Sequence, residues 1–212
     1  MFLGNWRGAF CMTTRIHLRR AEPRDAELLS MFAARLFRET YAGDTAAADL
    51  ADYIGKNFRA DRQRAEIVDP GGVVFLAVRD QDDRAIIGYA HLVVHPPGGG
   101  SPILSRLYIE KECRGIGLAG RLLDEVRSEC RRRGAAELRL TVFEKNARAI
   151  AFYRRSGFVV TGITTFTVGE DVQRDIEMQL PVGADDVAAG IPGITARSAA
   201  PEKRSRPLVE GR

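Results

Sequence analysis

The run Leu107-Tyr108-Ile109-Glu110-Lys111-Glu112-Cys113-Arg114-Gly115-Ile116-Gly117-Leu118-Ala119-Gly120-Arg121-Leu122-Leu123 decides how this chain is read. An apolar, strand-like segment enters a turn bare of side chains, with Gly115, Gly117, Gly120 and Ala119, and the turn opens a helix. The first N–H groups of a helix have no partner within it, and the helix dipole adds positive potential there, so such a turn attracts phosphate. The helix itself is well specified. Leu118, Leu122, Val126 and Cys130 form one apolar stripe with Leu123 beside it. Glu129 and Arg133 stand at i,i+4, Arg131–Arg133 fill the last turn, and Gly134 follows as a cap. A P-loop is excluded, because no Gly-Lys-Ser/Thr is present. Gly115–Gly120 does fit the G-x-G-x-x-G of dinucleotide folds. However, it lies in mid-chain, and no acidic residue ends a strand about 20 residues on. A glycine turn without a ligand also remains open on this segment alone.

Outward from the turn, apolar periods alternate between strand and helix. Strand-like stretches are Ile16–Arg20, Val73–Val78, Ile86–His95, Ser101–Glu110, Glu137–Phe143, Phe158–Phe166 and Gln173–Leu180. The second and third of these face each other across the polar Arg79–Arg84 turn. Pro23 opens a helix carrying Leu28, Leu29, Phe32 and Leu36, and a second helical stretch carries Leu50, Tyr53, Ile54 and Phe58. With the helices Ile116–Arg133 and Asn146–Ser156, the expectation is a mixed α/β (α+β) domain. It has a largely antiparallel sheet of six or seven strands and about four helices.

This domain is assigned to residues 13–182. Residues 1–12 fit no element, and Met12 directly precedes the first strand, so they read as an extension. Residues 183–212 hold no aromatic residue and no period, and read as a disordered tail. The chain has 212 residues, with 32 basic and 28 acidic side chains and a net charge of +4. That balance excludes a nucleic-acid binder working by bulk charge. The longest apolar run, Val73–Val78, is far short of the roughly 20 residues of a membrane span. Cys11, Cys113 and Cys130 make neither a disulfide framework nor a zinc site, so a cytoplasmic setting is the default. His91 and His95 share a strand face but lie about 13 Å apart, too far to chelate one metal.

A second segment completes the pattern. Asn146-Ala147-Arg148-Ala149-Ile150-Ala151-Phe152-Tyr153-Arg154-Arg155-Ser156-Gly157-Phe158 is a compact helix with Asn146 as N-cap and Gly157 at its end. Taken together, Arg114-x-x-Gly117-x-Ala119 and Asn146…Ala149…Phe152-Tyr153…Gly157-Phe158 resemble the two signature motifs of the GNAT N-acetyltransferase superfamily. The resemblance spans roughly residues 16–180. Phe37-Arg38-Glu39-Thr40-Tyr41, Arg106–Ile109, Glu144-Lys145-Asn146 and Gly162…Phe166-x-Val168-Gly169-x-Asp171-x-Gln173-x-Asp175 further resemble PaiA-type spermidine/spermine acetyltransferases.

The resemblance implies the acyl-CoA N-acyltransferase fold, with a V-shaped split in the sheet, and acetyl-CoA as co-substrate. The backbone of Arg114, Gly115, Ile116, Gly117, Leu118, Ala119 and Gly120 would hold the diphosphate. Leu107, Tyr108 and Ile109 would line the pantetheine, with an N–H near Leu107 or Tyr108 facing the acetyl carbonyl. Asn146 and Arg148 would contact the CoA arm, and Tyr153 would protonate the leaving thiolate. Many members place a glutamate on the fourth or fifth strand to take the amine's proton. Here Ser105 precedes Arg106, and Glu39, acting through water, is the substitute candidate. Glu39 and Tyr41 are the candidate acceptor contacts. Two acidic groups, Glu39/Asp44/Asp49/Asp52 and Glu170/Asp171/Asp175, point to a small-molecule amine, a polyamine first among them. A peptide or protein amine, or an acyl-CoA-binding domain without turnover, stays open, as does a homodimer.

Overall fold

The computed structural model describes residues 15–96, 99–168 and 171–183. The expectations for residues 1–12, for 184–212 and for Glu170 lie outside these residues. Seven strands form one sheet: β1 Ile16–Arg20, β2 Gly72–Arg79, β3 Asp82–Val93, β4 Ile103–Ile109, β5 Glu137–Phe143, β6 Val159–Val168 and β7 Asp171–Pro181. The order across the sheet is β1-β2-β3-β4-β5-β7-β6. Neighbours run antiparallel except β4 and β5. The β2–β3 hairpin is tighter than the polar Arg79–Arg84 stretch suggests, since Arg79 already pairs with Asp82. Backbone pairing continues through polar residues wherever one face meets water.

Among the described residues five α-helices accompany the sheet: α1 Ala26–Tyr41, α2 Ala47–Asn57, α3 Ala60–Val68, α4 Leu118–Arg132 and α5 Ala147–Arg155. Pro23 opens a short 3-10 turn, Pro23–Asp25, which leads into α1. Asp25 is buried there because Arg19 grips both its oxygens, at 2.7 and 2.9 Å. Helix α3 is the addition to the four expected. Its segment Ala60-Asp61-Arg62-Gln63-Arg64-Ala65-Glu66-Ile67-Val68 has no apolar stripe, and its buried member is Gln63, which donates to Asn57 O at 3.3 Å.

The core has two layers, one on each sheet face. Along β2, Val73, Phe75 and Ala77 join the layer beneath α4 and α5, while Val74, Leu76 and Val78 join the layer beneath α1 and α2. A strand covered on both faces reads as an unbroken apolar run, which is why Val73–Val78 lacks alternation. The stripe Leu118, Leu122, Val126 and Cys130 is fully buried and clamps α4 to the sheet.

Between β4 and β5 the sheet opens. The two strands run parallel and pair at Ile103↔Arg139, with Arg139 N donating to Pro102 O at 2.9 Å. Beyond that position β4 continues to Ile109 and β5 to Phe143 without further register pairs. The backbone groups at the end of β4 on this side therefore face a gap. Strand β7 covers the other edge of β5 from Glu137↔Pro181 to Phe143↔Asp175.

Candidate active site

The gap between β4 and β5 is part of a continuous open cleft of about 2830 Å³. The β4–α4 turn borders it at one end. After Ile109 the chain makes a 3-10 turn, Lys111–Cys113, and Arg114 folds back to donate its Nε–H to Ile109 O at 3.1 Å. Gly115 and Gly117 take φ of +84° and +82°, a region L side chains avoid. The helical ladder starts with Arg121 N–H to Gly117 O at 3.1 Å, so the N–H groups of Leu118, Ala119 and Gly120 precede it. A Cβ on Gly115, Gly117 or Gly120 would meet nothing within 4 Å. The turn is thus an exposed cradle of donors.

Two arginines flank it. Arg114 and Arg148, the latter in the first turn of α5, both line the cleft. Burial lowers the Arg148 guanidinium below its ordinary value, and the positive charge of Arg114 lowers it further. Like charges brought this near favour an anion between them. Asn146 lines the cleft as well, while its Oδ1 accepts from Ala149 N at 3.1 Å and caps α5.

Tyr153 projects from α5 into the core side of the cleft and is buried, its ring edge-on to Phe158 at 5.4 Å. Burial, with Tyr41 adding to it, pushes its phenol well above the ordinary tyrosine value. Tyr108 on β4 is raised by burial and by the same Tyr41, and stacks on Tyr89 at 5.8 Å. Tyr41 at the end of α1 is therefore in electrostatic reach of both. Leu107, Tyr108 and Ile109 all line the cleft, as the resemblance implies.

Glu39 lies on the cleft rim, with its side chain 44% exposed. Arg35 bridges it, at 3.1 Å, to Glu110 at 3.0 Å. Burial works to raise the Glu110 carboxyl, but the Arg35 hydrogen bonds and charge bring it below the usual carboxylate range. Asp44 lines the cleft and pairs with Lys145 at 3.0 Å. Asp52 is exposed and pairs with Lys56 at 2.7 Å on α2.

Sequence reasoning missed one polar group. Glu66, on the unforeseen α3, bonds Arg106 of β4, and Arg106 also reaches His91 Nδ1 at 2.8 Å. The Arg106 guanidinium lies over the Phe58 ring at 5.5 Å. Burial first, and the Arg106 charge second, hold His91 well below the ordinary imidazole value, so it is neutral. All three side chains, from α3, β3 and β4, line the cleft.

A seven-stranded sheet split between two parallel strands, with a donor cradle at one strand's end, defines an acyl-CoA N-acyltransferase fold. The profile of the Acetyltransferase (GNAT) family matches residues 27–158, and the chain belongs to this family. An uncharacterized N-acetyltransferase of Mycobacterium bovis is 31% identical over 155 residues, 73% of this chain and 96% of that protein. An uncharacterized N-acetyltransferase of Lactobacillus delbrueckii subsp. lactis is 29% identical over 66% of this chain and 82% of its own length. Among solved structures, a PaiA N-acetyltransferase from Thermoplasma acidophilum in complex with coenzyme A is similar in fold. Its TM-score is 0.65 at 24% identity, covering 79% of this chain and 99% of that one.

Proposed function

We propose that the protein moves the acetyl group of acetyl-CoA to a primary amine of a small molecule by direct attack of the amine on the thioester. The observation that carries this reading is the pair Arg114 and Arg148 beside an unobstructed cradle of backbone donors, at the mouth of a split sheet. The diphosphate would lie against the N–H groups from Gly115 to Gly120, between the two guanidinium groups. The pantetheine would take the backbone edge of Leu107–Ile109, which β5 leaves uncovered, and bring the acetyl group toward Tyr108 and Tyr153. An N–H at Leu107 or Tyr108 would stabilise the oxyanion.

Tyr153 suits an acid. Its raised value keeps the phenol protonated at neutral pH, ready to give its proton to the departing sulfur. The acceptor amine approaches from the face covered by α1–α3, between the Glu66/Arg106/His91 group and the aromatic wall of Tyr41, Phe143 and Phe166. An alkylammonium of pKa about 10.4 must lose a proton first, which costs about 4.6 kcal/mol at pH 7. Glu39, acting through water, is the carboxylate we assign to receive it. A polyamine is the acceptor we favour, because Asp44, Asp175 and Glu177 line the same half of the cleft.

Calorimetry with acetyl-CoA, followed by thiol release over a panel of polyamines, amino acids, aminoglycosides and short peptides, tests the reading. Binding with thiol release on polyamines supports it. Absence of acetyl-CoA binding defeats the whole reading, and turnover confined to anionic acceptors defeats the polyamine part.

A further inference from the structure

The sheet has two outer strands, and the chain protects one of them. β1 is five residues long and carries His17, Arg19 and Arg20. Arg121 of α4 also donates to Ile16 O at 2.9 Å. Short length and charge keep an edge from pairing with another chain. Among the described residues β6 ends the sheet on the other side, and it has neither feature. Its ten residues, Val159-Val160-Thr161-Gly162-Ile163-Thr164-Thr165-Phe166-Thr167-Val168, hold no charged side chain and no proline. Eight of them are β-branched, the type that best fits a pleated ladder.

The side chains beside this edge are apolar as well. Val160 stands opposite Met178 of β7, Ile163 opposite Ile176, Thr165 opposite Arg174 and Thr167 opposite Val172. These four β7 residues alternate along their strand, so all eight side chains share one face. The register shift at Thr161 is a bulge, and it brings Val160 and Ile163, three positions apart, to the same side. On this face Met178 is buried in the core and Ile176 packs against it. Farther along the ribbon the cover ends: Ile163 is 60% exposed and Val172 63%. Six large apolar side chains are exposed among the described residues, and Val159, Val160, Ile163 and Val172 of this ribbon are four of them. The other two, Met31 and Val68, lie on α1 and α3.

Beyond the bulge, Gly162–Val168 keeps unbroken register with β7 and offers a regular template for a further strand. Such an edge binds backbone, so its partner is a strand that brings no charge. β6 is itself such a strand. Paired antiparallel about a two-fold axis, it sets N–H groups of each copy against carbonyls of the other, and the edge is complementary to itself. Each copy carries a net charge of +4, and β6 is a place where two copies meet without a like-charge pair. The sequence after residue 183 is a poorer occupant, because Pro192, Pro201 and Pro207 interrupt it and proline gives a ladder no donor.

We propose that the protein forms a two-fold homodimer in which β6 pairs antiparallel with β6 of a second copy, joining two seven-stranded sheets, with Ile163 of each copy beside the seam. The same strand lines the cleft from Ile163 to Thr167, so each copy stands next to the other's cleft. The dimer is independent of the acetyl-transfer reading.

Sedimentation equilibrium of the full chain without ligand tests this. At about 50 µM the expected mass is about 47 kDa, twice the 23.4 kDa of the chain. A monomer persisting to about 200 µM overturns the proposal. Ile163→Lys sets an ammonium on each side of the seam and is expected to raise the dimer Kd at least about tenfold. Met31→Lys, exposed on α1, is expected to leave it unchanged. A dimer equally tight in Ile163→Lys, or weakened as much by Met31→Lys, places the contact elsewhere and also overturns the proposal. Thermal melting checks that the variants fold. If Ile163→Lys does not, Val160→Lys, on the same exposed face, is read in the same way.

Discussion

Gly120→Glu separates the cradle's role in binding from its role in folding. Gly120 sits in the first turn of α4, and a Cβ there would meet nothing within 4 Å. Unlike Gly115 and Gly117, it has no positive φ. A side chain at this position is therefore unstrained, and replacing glycine inside a helix stabilises by about 0.5–1 kcal/mol. A carboxylate in the first turn adds about 0.3–1 kcal/mol through the helix dipole. The sum, roughly 1 kcal/mol or somewhat more, should raise Tm by about 2–4 °C for a domain of this size. The same side chain occupies the space above the N–H groups of Leu118–Gly120 and places a negative charge there. Loss of three charge-assisted hydrogen bonds at about 1.5 kcal/mol each amounts to about 4.5 kcal/mol, or about 10³-fold in Kd. Calorimetry with acetyl-CoA and a melting curve on the same sample read both effects. Gly117→Ala is the contrasting control, because its φ of +82° makes even a methyl group cost about 1–2 kcal/mol. Acetyl-CoA binding by Gly120→Glu within about threefold of the parent would refute the cradle as the diphosphate site.

Other perturbations probe the remaining parts. Tyr153→Phe should lower kcat by about 10²-fold with near-normal affinity for acetyl-CoA, since acid catalysis is lost and packing kept. Because the Tyr153 phenol is raised, the wild-type kcat/KM should climb with pH as the amine deprotonates and show no descending limb up to about pH 10; a limb near neutrality would exclude this tyrosine as the acid. Glu39→Gln should lower kcat/KM at neutral pH at least about tenfold, and an unchanged steady-state rate would return Glu39 to a rim ion pair with Arg35. His91, depressed in the folded state, binds its proton more readily when unfolded. Stability is therefore complete above about pH 6.5 and falls as the pH drops below it, by at most about 1.4 kcal/mol per pH unit. Urea titrations from pH 7 to 5 should show that slope reduced in His91→Gln, and identical slopes would exclude His91 as its source.

The glycine turn and the capped helix beside the cleft were legible because their information is local. Gly115, Gly117 and Gly120 lie within six residues, and the positive φ of the first two is a property that sequence displays directly. The α4 stripe and the Asn146 cap follow from helical spacing and capping chemistry, and both appear where expected. Helix α3 was not legible, since periodicity detects apolar stripes and this helix buries a glutamine. Its shape is set by the surface it packs on, chiefly α1 and β2, and no nine-residue window contains that surface.

The same reasoning explains why the side of the cleft under α1–α3 stays hidden in the chain. Ser105 leaves β4 without the carboxylate that the resemblance implies, and Glu39 is the candidate because it lies in the helical region expected to form the acceptor wall. The fold instead brings carboxylates in from distant elements. Glu66 comes 40 positions before Arg106 to bond it, and the Gln173 beside Asp175 reaches Thr45 across 128 positions. A charge buried by residues so far apart is fixed by sheet register. Shifting β7 by one residue against β5 would turn Asp175 and Glu177 to the opposite face and present Arg174 and Ile176 to the cleft. The glycine turn is specified by a short window of the chain. The face that β7 turns to the cleft is set by which of its two alternating sets of side chains the register points inward, and that choice is made only when the sheet assembles.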